Sequence, residues 1–159
     1  MKVLGIDPGF ERLGIAIIEK EKGSKEKLLF SECFKTAKSL EFTERLKMIG
    51  LRIEELVLEY KPKCLGIETL FFETNKTTAM RVAEVRGAIL YIAAKHGLEI
   101  CEYSPLQIKS AVTGYGKADK RAVMMMVPKL IKIESKRKMI DDELDAIAIA
   151  LTTSASQKY

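Results

Sequence analysis

The hydrophobic pattern of this chain changes period once, near residue 40, and that change limits the fold more than any bulk property does. Before it, apolar residues come in short runs divided by turn pairs. Lys2 to Asp7 is an apolar run stopped by Pro8-Gly9. Leu13 to Lys20 is apolar and rich in isoleucine, and Gly23-Ser24 turns the chain soon after it. Lys27 to Lys35 (KLLFSECFK) alternates. Three short strands joined by two turns predict an antiparallel meander. Beyond residue 40, Leu46, Ile49, Ile53, Leu56 and Val57 recur at helical spacing, with Arg52, Glu54 and Glu55 between them. The spacing predicts a helix from Leu40 to Tyr60, with Ser39 as its N-cap and Pro62 closing it.

Short apolar runs and helices then take turns. Cys64 to Glu68 (CLGIE) reads as a strand, Asn75 to Lys95 as a long helix with Gly97 just past its end, and Leu98 to Tyr103 as a further strand. A short helix over Pro105 to Thr113, a Gly114-Tyr115-Gly116 turn, a helix from about Asp119 and a last helix from near Asp141 complete the chain. Pro128 falls inside the fourth helix and is expected to end or kink it. The order predicts an α/β fold in which parallel strands, joined by right-handed crossovers, follow the initial meander. The 159 residues suit a single domain, 1–159, with a mobile tail after about residue 153.

Composition removes several classes of function. No apolar run approaches the roughly 18–20 residues of a membrane span. Asp7 comes too early for a signal peptide, so a cytoplasmic location and no membrane partner are expected. Cys33, Cys64 and Cys101 form no CxxC pair and read as buried free thiols. His96 is the only histidine, and its place at a helix C-terminus suits the helix dipole. A Ser/His/Asp triad or a histidine-rich metal cage would have to route through His96, whose context is poor. The chemistry left is that of carboxylates.

Four acids stand out. Asp7 and Glu68 each end an apolar strand, where a charge is costly to half-bury without a cation or donor beside it. The plainer alternative is that strand ends simply meet water. Asp142 and Asp145 are spaced i, i+3 on one helix face. The helix dipole accounts for acids at Asp141, Asp142 and Glu143, but less well for Asp145, one turn further in. Asp141 is the neighbouring alternative to Asp142. A helix turns about 100° per residue, so only one of the two shares the face of Asp145 well, and the spacing favours Asp142. Such a set suits hard, oxygen-seeking cations such as Mg²⁺ or Mn²⁺, and two of them could serve phosphodiester hydrolysis.

Positive charge is concentrated elsewhere. Residues 105–140 hold nine basic residues against Asp119 and Glu134, while the remainder is net acidic although the whole chain carries +5. That asymmetry is what a polyanion-binding face needs, although a solvated helix surface explains Lys129 to Lys138 equally well. Lys109 and Lys120 flank the GYG turn and are the better candidates for phosphate contact, with Lys117 and Arg121 beside them. Phe71 and Phe72 follow Glu68 and offer rings for stacking on unpaired bases, with burial in the core as the alternative.

Taken together, GIDPG at Gly5–Gly9, IE at Ile67–Glu68, RG at Arg86–Gly87, YSPLQIK at Tyr103–Lys109, TGYGKADK at Thr113–Lys120 and DELDAIAIA at Asp142–Ala150 resemble the RuvC family of Holliday junction resolvases. The match spans nearly the whole chain. GIDPG alone is also similar to the phosphate loops of actin-like ATPases, but those enzymes need two domains around a nucleotide cleft. The resemblance implies a ribonuclease H-like fold with a central five-stranded mixed sheet flanked by helices. It implies a homodimer that makes paired Mg²⁺-dependent cuts in four-way DNA junctions, with Mn²⁺ able to substitute and two ions per site. It assigns the catalytic and metal-binding acids to Asp7, Glu68, Asp142 and Asp145, the functional lysines to Lys109 and Lys120, and the junction aromatic to Phe71. The RuvA–RuvB branch-migration complex is the implied partner. Glu84-Val85 departs from the Gln-Ala expected before Arg86-Gly87. The rival readings are a ribonuclease H-like nuclease for another nucleic acid and a non-catalytic junction-binding module.

Overall fold

The computed structural model describes residues 1–70, 76–134 and 137–157. Its centre is β1 (Lys2–Asp7), which pairs antiparallel with β2 (Arg12–Glu19) on one side and parallel with β4 (Cys64–Glu68) on the other. Outside these lie β3 (Lys27–Lys35), antiparallel to β2, and β5 (Glu99–Tyr103), parallel to β4. The order β3-β2-β1-β4-β5 is a five-stranded mixed sheet. The expected meander and the parallel strands after it are both present.

The helices are α1 (Phe42–Tyr60), α2 (Lys76–Lys95), α3 (Pro105–Thr113), α4 (Lys120–Leu130) and α5 (Asp141–Ser156). Strand residues alternate between two cores, as the pleat requires. Leu4, Ile6, Leu13, Ile15, Leu65 and Ile67 pack with Ile49, Ile53 and Leu56 of α1 and Val85 and Ile89 of α2. Val3, Ala16, Ile18 and Cys64, on the other face, pack with α5 and with Ile108 of α3 and Val123 and Val127 of α4. Helix α5 is apolar nearly all round because it lies between the sheet and the pair α3 and α4.

Its seat on the sheet is unusually close. A Cβ at Gly5 would stand 2.7 Å from Cβ of Ala150 and nearer still to the carbonyl oxygen of Ala146. At Gly66 it would stand 3.1 Å from Cγ2 of Ile149 and nearer still to Oγ1 of Thr153. Only glycine lets the helix backbone approach so near.

Several boundaries differ from the sequence expectation for physical reasons. Ser39 does not cap α1. It sits in a turn closed by Leu40 N–H on the Ala37 carbonyl (3.2 Å), and the N-cap position falls to Glu41, whose side chain makes no cap bond. Pro128 neither ends nor breaks α4 at its own position, because it lies in the last turn and the helix stops two residues later at Leu130. Helix α5 continues past residue 153 to Ser156, and buried Ser154 donates to Oε1 of Glu26 at 3.0 Å. Of the three cysteines, all free, only Cys64 is buried; Cys33 and Cys101 are half-buried. His96 caps α2 and places Nε2 2.8 Å from Oε1 of Glu54. Gly97, at φ 71°, donates to the Ala94 carbonyl while Leu98 donates to that of Ala93, a Schellman closure as expected. Among the described residues, no helix is long and apolar enough to cross a membrane.

Gly5→Ala should therefore lift α5 from the sheet and cost about 1–3 kcal/mol. A fall in the urea midpoint measures it, and an unchanged midpoint would mean that the helix has room to spare.

Candidate active site

The alternation that sorts the two cores also aims the acids. Val3, Gly5 and Asp7 point to the α5 face, and so do Cys64, Gly66 and Glu68. The parallel register pairs Ile6 with Ile67, so Asp7 and Glu68 emerge side by side at the C-terminal ends of neighbouring strands. Helix α5 brings Asp145 against them. Asp7, Glu68, Asp145, Lys109 and Lys120 all line one cavity of about 150 Å³, floored by Ile108, Val123 and Ile149.

Several of the cavity residues are held by identifiable contacts. Ser104 caps α3 by accepting from Gln107 N–H (3.3 Å), while Gln107 Oε1 accepts from Ser104 N–H (2.8 Å), with Pro105 in the first turn. That fixes the helix carrying Lys109. Asp119 caps α4 by accepting from Ala122 N–H at 2.7 Å, which makes Lys120 the first helical residue. Lys120 Nζ reaches Oδ2 of Asp145 at 2.8 Å. The loop leaving Asp7 is pinned from α1: buried Arg45 donates to Thr36 Oγ1 (2.8 Å) and to the Phe10 carbonyl (3.1 Å), and its guanidinium lies over the Phe10 ring.

Asp142 lies to one side, turned onto the guanidinium of Arg12 and not lining the cavity. Its backbone rests on Gly14, where a Cβ would come within 2.9 Å of the Asp142 carbonyl carbon. Gly14 is the register partner of Asp7, so Asp142 is still near enough for its charge to act on Asp7. Asp141 is exposed, and the charge it faces is that of Lys120. Lys117 and Arg121 are exposed and do not line the cavity. Phe71 and Phe72 lie outside the described residues.

Two arginines that sequence reading left without a role prove to touch the site. Arg12 is the counter-ion of Asp142. Arg86 donates from Nε to the Glu68 carbonyl (3.2 Å) and pairs with Glu102, so it ties the end of β4 to β5. The RG motif marked Arg86, but nothing local marked Arg12, whose partner is 130 residues away.

The electrostatics are those of crowded like charge. Burial, then Asp145, Glu68 and Asp142, push the Asp7 carboxyl up to about 7, against a small opposing effect of Lys120. Glu68 is also raised, by burial and then by Asp145, with Lys109 and Lys120 opposing. Lys120 is raised, chiefly by its hydrogen bond to Asp145. Among the described residues, no three acidic, histidine or cysteine side chains converge into a finished ion cage. Lys120 draws Asp145 aside and Arg12 draws Asp142. The donors are nonetheless all hard oxygens, and the repulsion stored at Asp7 is what a divalent cation relieves, so the set fits such an ion.

Comparison with known proteins gives the same picture. The family model described as "Crossover junction endodeoxyribonuclease RuvC" matches residues 3–153. The chain is 46% identical over 159 residues to the crossover junction endodeoxyribonuclease RuvC of Alkaliphilus metalliredigens, covering 100% of this chain and 96% of that protein. It is 40% identical to that of Brachyspira hyodysenteriae, covering 99% and 96%. Among solved structures, Thermus thermophilus RuvC in complex with Holliday junction substrate superposes with a TM-score of 0.88 at 32% identity, covering 97% of this chain and 93% of that one. The yeast mitochondrial Holliday junction resolvase shares the fold, with a TM-score of 0.69 at 15% identity over 94% of this chain and 76% of that one. The architecture is the ribonuclease H-like one.

The raised Asp7 carboxyl has a measurable consequence. Its ionisation opposes folding, so its contribution to stability is intact near pH 4 and is lost as pH rises toward and through 7. In EDTA, Asp7→Asn should match the parent chain in urea unfolding near pH 4 and exceed it at pH 8 by up to a few kcal/mol. Equal stability at both pH values would show that Asp7 is not under strain.

Proposed function

The chain belongs to the RuvC family of crossover junction endodeoxyribonucleases, and from that premise we propose that it resolves four-way DNA junctions by paired hydrolytic cuts at the Asp7–Glu68–Asp145 cavity. One observation carries the reading: three carboxylates and two lysines meet in a single cavity, on a chain whose fold matches that of a junction-bound relative over nearly its whole length. A polyanion-binding module without chemistry has no use for the three carboxylates.

Asp7, Glu68, Asp142 and Asp145 are the residues that would hold magnesium, two ions per site, with manganese able to replace it. The metal supplies Lewis-acid stabilisation to phosphodiester hydrolysis. The chain's own side chains do the rest. Lys109 and Lys120 neutralise the phosphate entering the cavity, with Lys120 moving from Asp145 onto a phosphate oxygen. Glu68 orients the attacking water and accepts its proton. Ile108, Val123 and Ile149 keep the floor apolar, which strengthens every charge interaction above it. Lys117 and Arg121 extend the basic surface along the strand, and Phe71 or Phe72 stacks on bases at the junction centre.

A junction has two equivalent strands, and a two-fold homodimer presents two equivalent cavities to them. The reading carries with it the RuvA–RuvB complex as partner, the cytoplasm as location, and sequence preference felt at the cleavage step rather than in binding. A nuclease for RNA–DNA hybrids or flaps would use the same acids, so the test compares substrates.

End-labelled four-way junction, linear duplex, hybrid and flap are incubated with the protein in Mg²⁺ and in EDTA. Symmetric nicks in the junction alone, absent in EDTA and in Asp7→Asn although that variant still binds junction, are the expected result. Cleavage of hybrid or flap instead would overturn the substrate, and binding without cleavage in either metal would overturn the activity. Junction affinity should also fall steeply with salt, and Lys117→Ala should flatten the log–log slope by about one.

A further inference from the structure

Between Asp142 and Asp145 lies an acid that the proposed chemistry does not use. Glu143 is 2% exposed, and both of its oxygens are fully engaged. Oε1 accepts from Ser31 Oγ (2.9 Å) and from Arg137 Nη2. Oε2 accepts from Arg137 Nη1 (3.0 Å) and from the Ile140 backbone N–H (3.1 Å). Arg137 Nη2 also donates to the Ser31 carbonyl at 2.7 Å. One buried carboxylate thus joins the first turn of α5, the segment leading into it and the middle of β3, through a two-pronged guanidinium fork.

Burying a carboxylate, here against a guanidinium that stays half exposed, is an expensive way to cap a helix. The cap position, Ile140, has no side-chain acceptor, and a serine there would satisfy the helix end at far lower desolvation cost. The best-attested use of such a pair is to fix register, and the geometry here suits it. On a helix turning about 100° per residue, Glu143 points away from the side that carries both Asp142 and Asp145. It therefore grips α5 from a side away from them, while Asp145 lines the cavity and Asp142 lies beside it on Arg12. The grip is on the sheet row Ser31–Ala16–Gly5–Gly66. The next row on that face carries Cys33, Gly14 and Asp7, with Glu68 alongside.

We propose that Glu143 and Arg137 are positioning residues of the cleavage site, which set the rotation of the first turn of α5 and so the placement of Asp142 and Asp145 relative to Asp7 and Glu68. The proposal rests on the junction-nuclease reading above. Its geometric half, the placement of the two carboxylates, is open to measurement without any cleavage.

The variants are Glu143→Gln, Arg137→Met and their combination, with Ile53→Val as a control that loosens the core on the opposite face of the sheet. Three readouts are taken on each: Mn²⁺ binding by electron paramagnetic resonance, junction Kd in Ca²⁺, and single-turnover cleavage at saturating junction. Glu143→Gln should weaken Mn²⁺ binding and slow cleavage about ten- to a hundred-fold, with junction Kd within about two-fold of the parent. Arg137→Met should do the same, and the double variant should be no worse than the worse single one. Ile53→Val should lower thermal stability with neither metal binding nor cleavage rate changed. Parent-like metal binding and cleavage in folded Glu143→Gln would overturn the proposal. So would a loss in Ile53→Val equal to that in Glu143→Gln, or an Arg137→Met defect confined to junction Kd. If the parent chain cuts no junction, the function reading falls instead, and Mn²⁺ binding alone decides the positioning role.

Discussion

Everything in the site depends on how near α5 lies to the sheet. Two of the four acids arrive on strands and two on that helix, so the gap between layers is the dimension that matters. Side chains at Gly5, Gly14 and Gly66 would hold the layers apart, and glycine at all three lets helix backbone sit almost on strand backbone. The helix offers Ala146 and Ala150 opposite Gly5, and Thr153 and Ile149 fill the space that a side chain at Gly66 would need. Glycine on the strand surface is what converts an ordinary α/β layer contact into a place where carboxylates from different layers share a cavity.

The second constraint is electrostatic and works against stability. Like charges brought together in a half-buried cavity raise one another's pKa values, and Asp7 bears most of that cost. The fold offsets it with cations at the margins, Arg12 on Asp142 and Lys120 on Asp145, and with dense packing elsewhere: Leu4, Ile6, Ile15, Ile17 and Leu65 are wholly excluded from solvent. A site of this kind stays destabilising until a ligand neutralises it.

Much of this could be read from the sequence where the cause is local. Strand ends at Asp7 and Glu68, the helix over Pro105 to Thr113 and Gly97 as a helix stop are decided by residues within a few positions of one another, and all stand as read; the Ser104–Gln107 box and the Asp119 cap are equally local but went unread. Ser39 misled because a turn captured it before the helix began. Pro128 sits in the last turn of α4, which ends two residues later. The arginines were invisible for a deeper reason. Arg12 meets Asp142 and Arg137 meets Ser31 across more than a hundred residues of chain, and no spacing rule carries that far. The three acids that gathered into one cavity could be anticipated, since strand parity and helix phase govern direction, but helix phase also put Asp142 among them and it lies outside, on Arg12. Which cations met them could not be anticipated.

The bond between Lys120 and Asp145 has a thermodynamic corollary. On the proposed function, a cation at Asp145 and a phosphate at Lys120 would each compete with the same 2.8 Å contact, so whichever ligand arrived first would have met that cost for the second. Affinity for ion and for nucleic acid is then shared property: the factor by which one improves the other is returned unchanged in the opposite direction. On that reading, a single side chain would couple the two ligands.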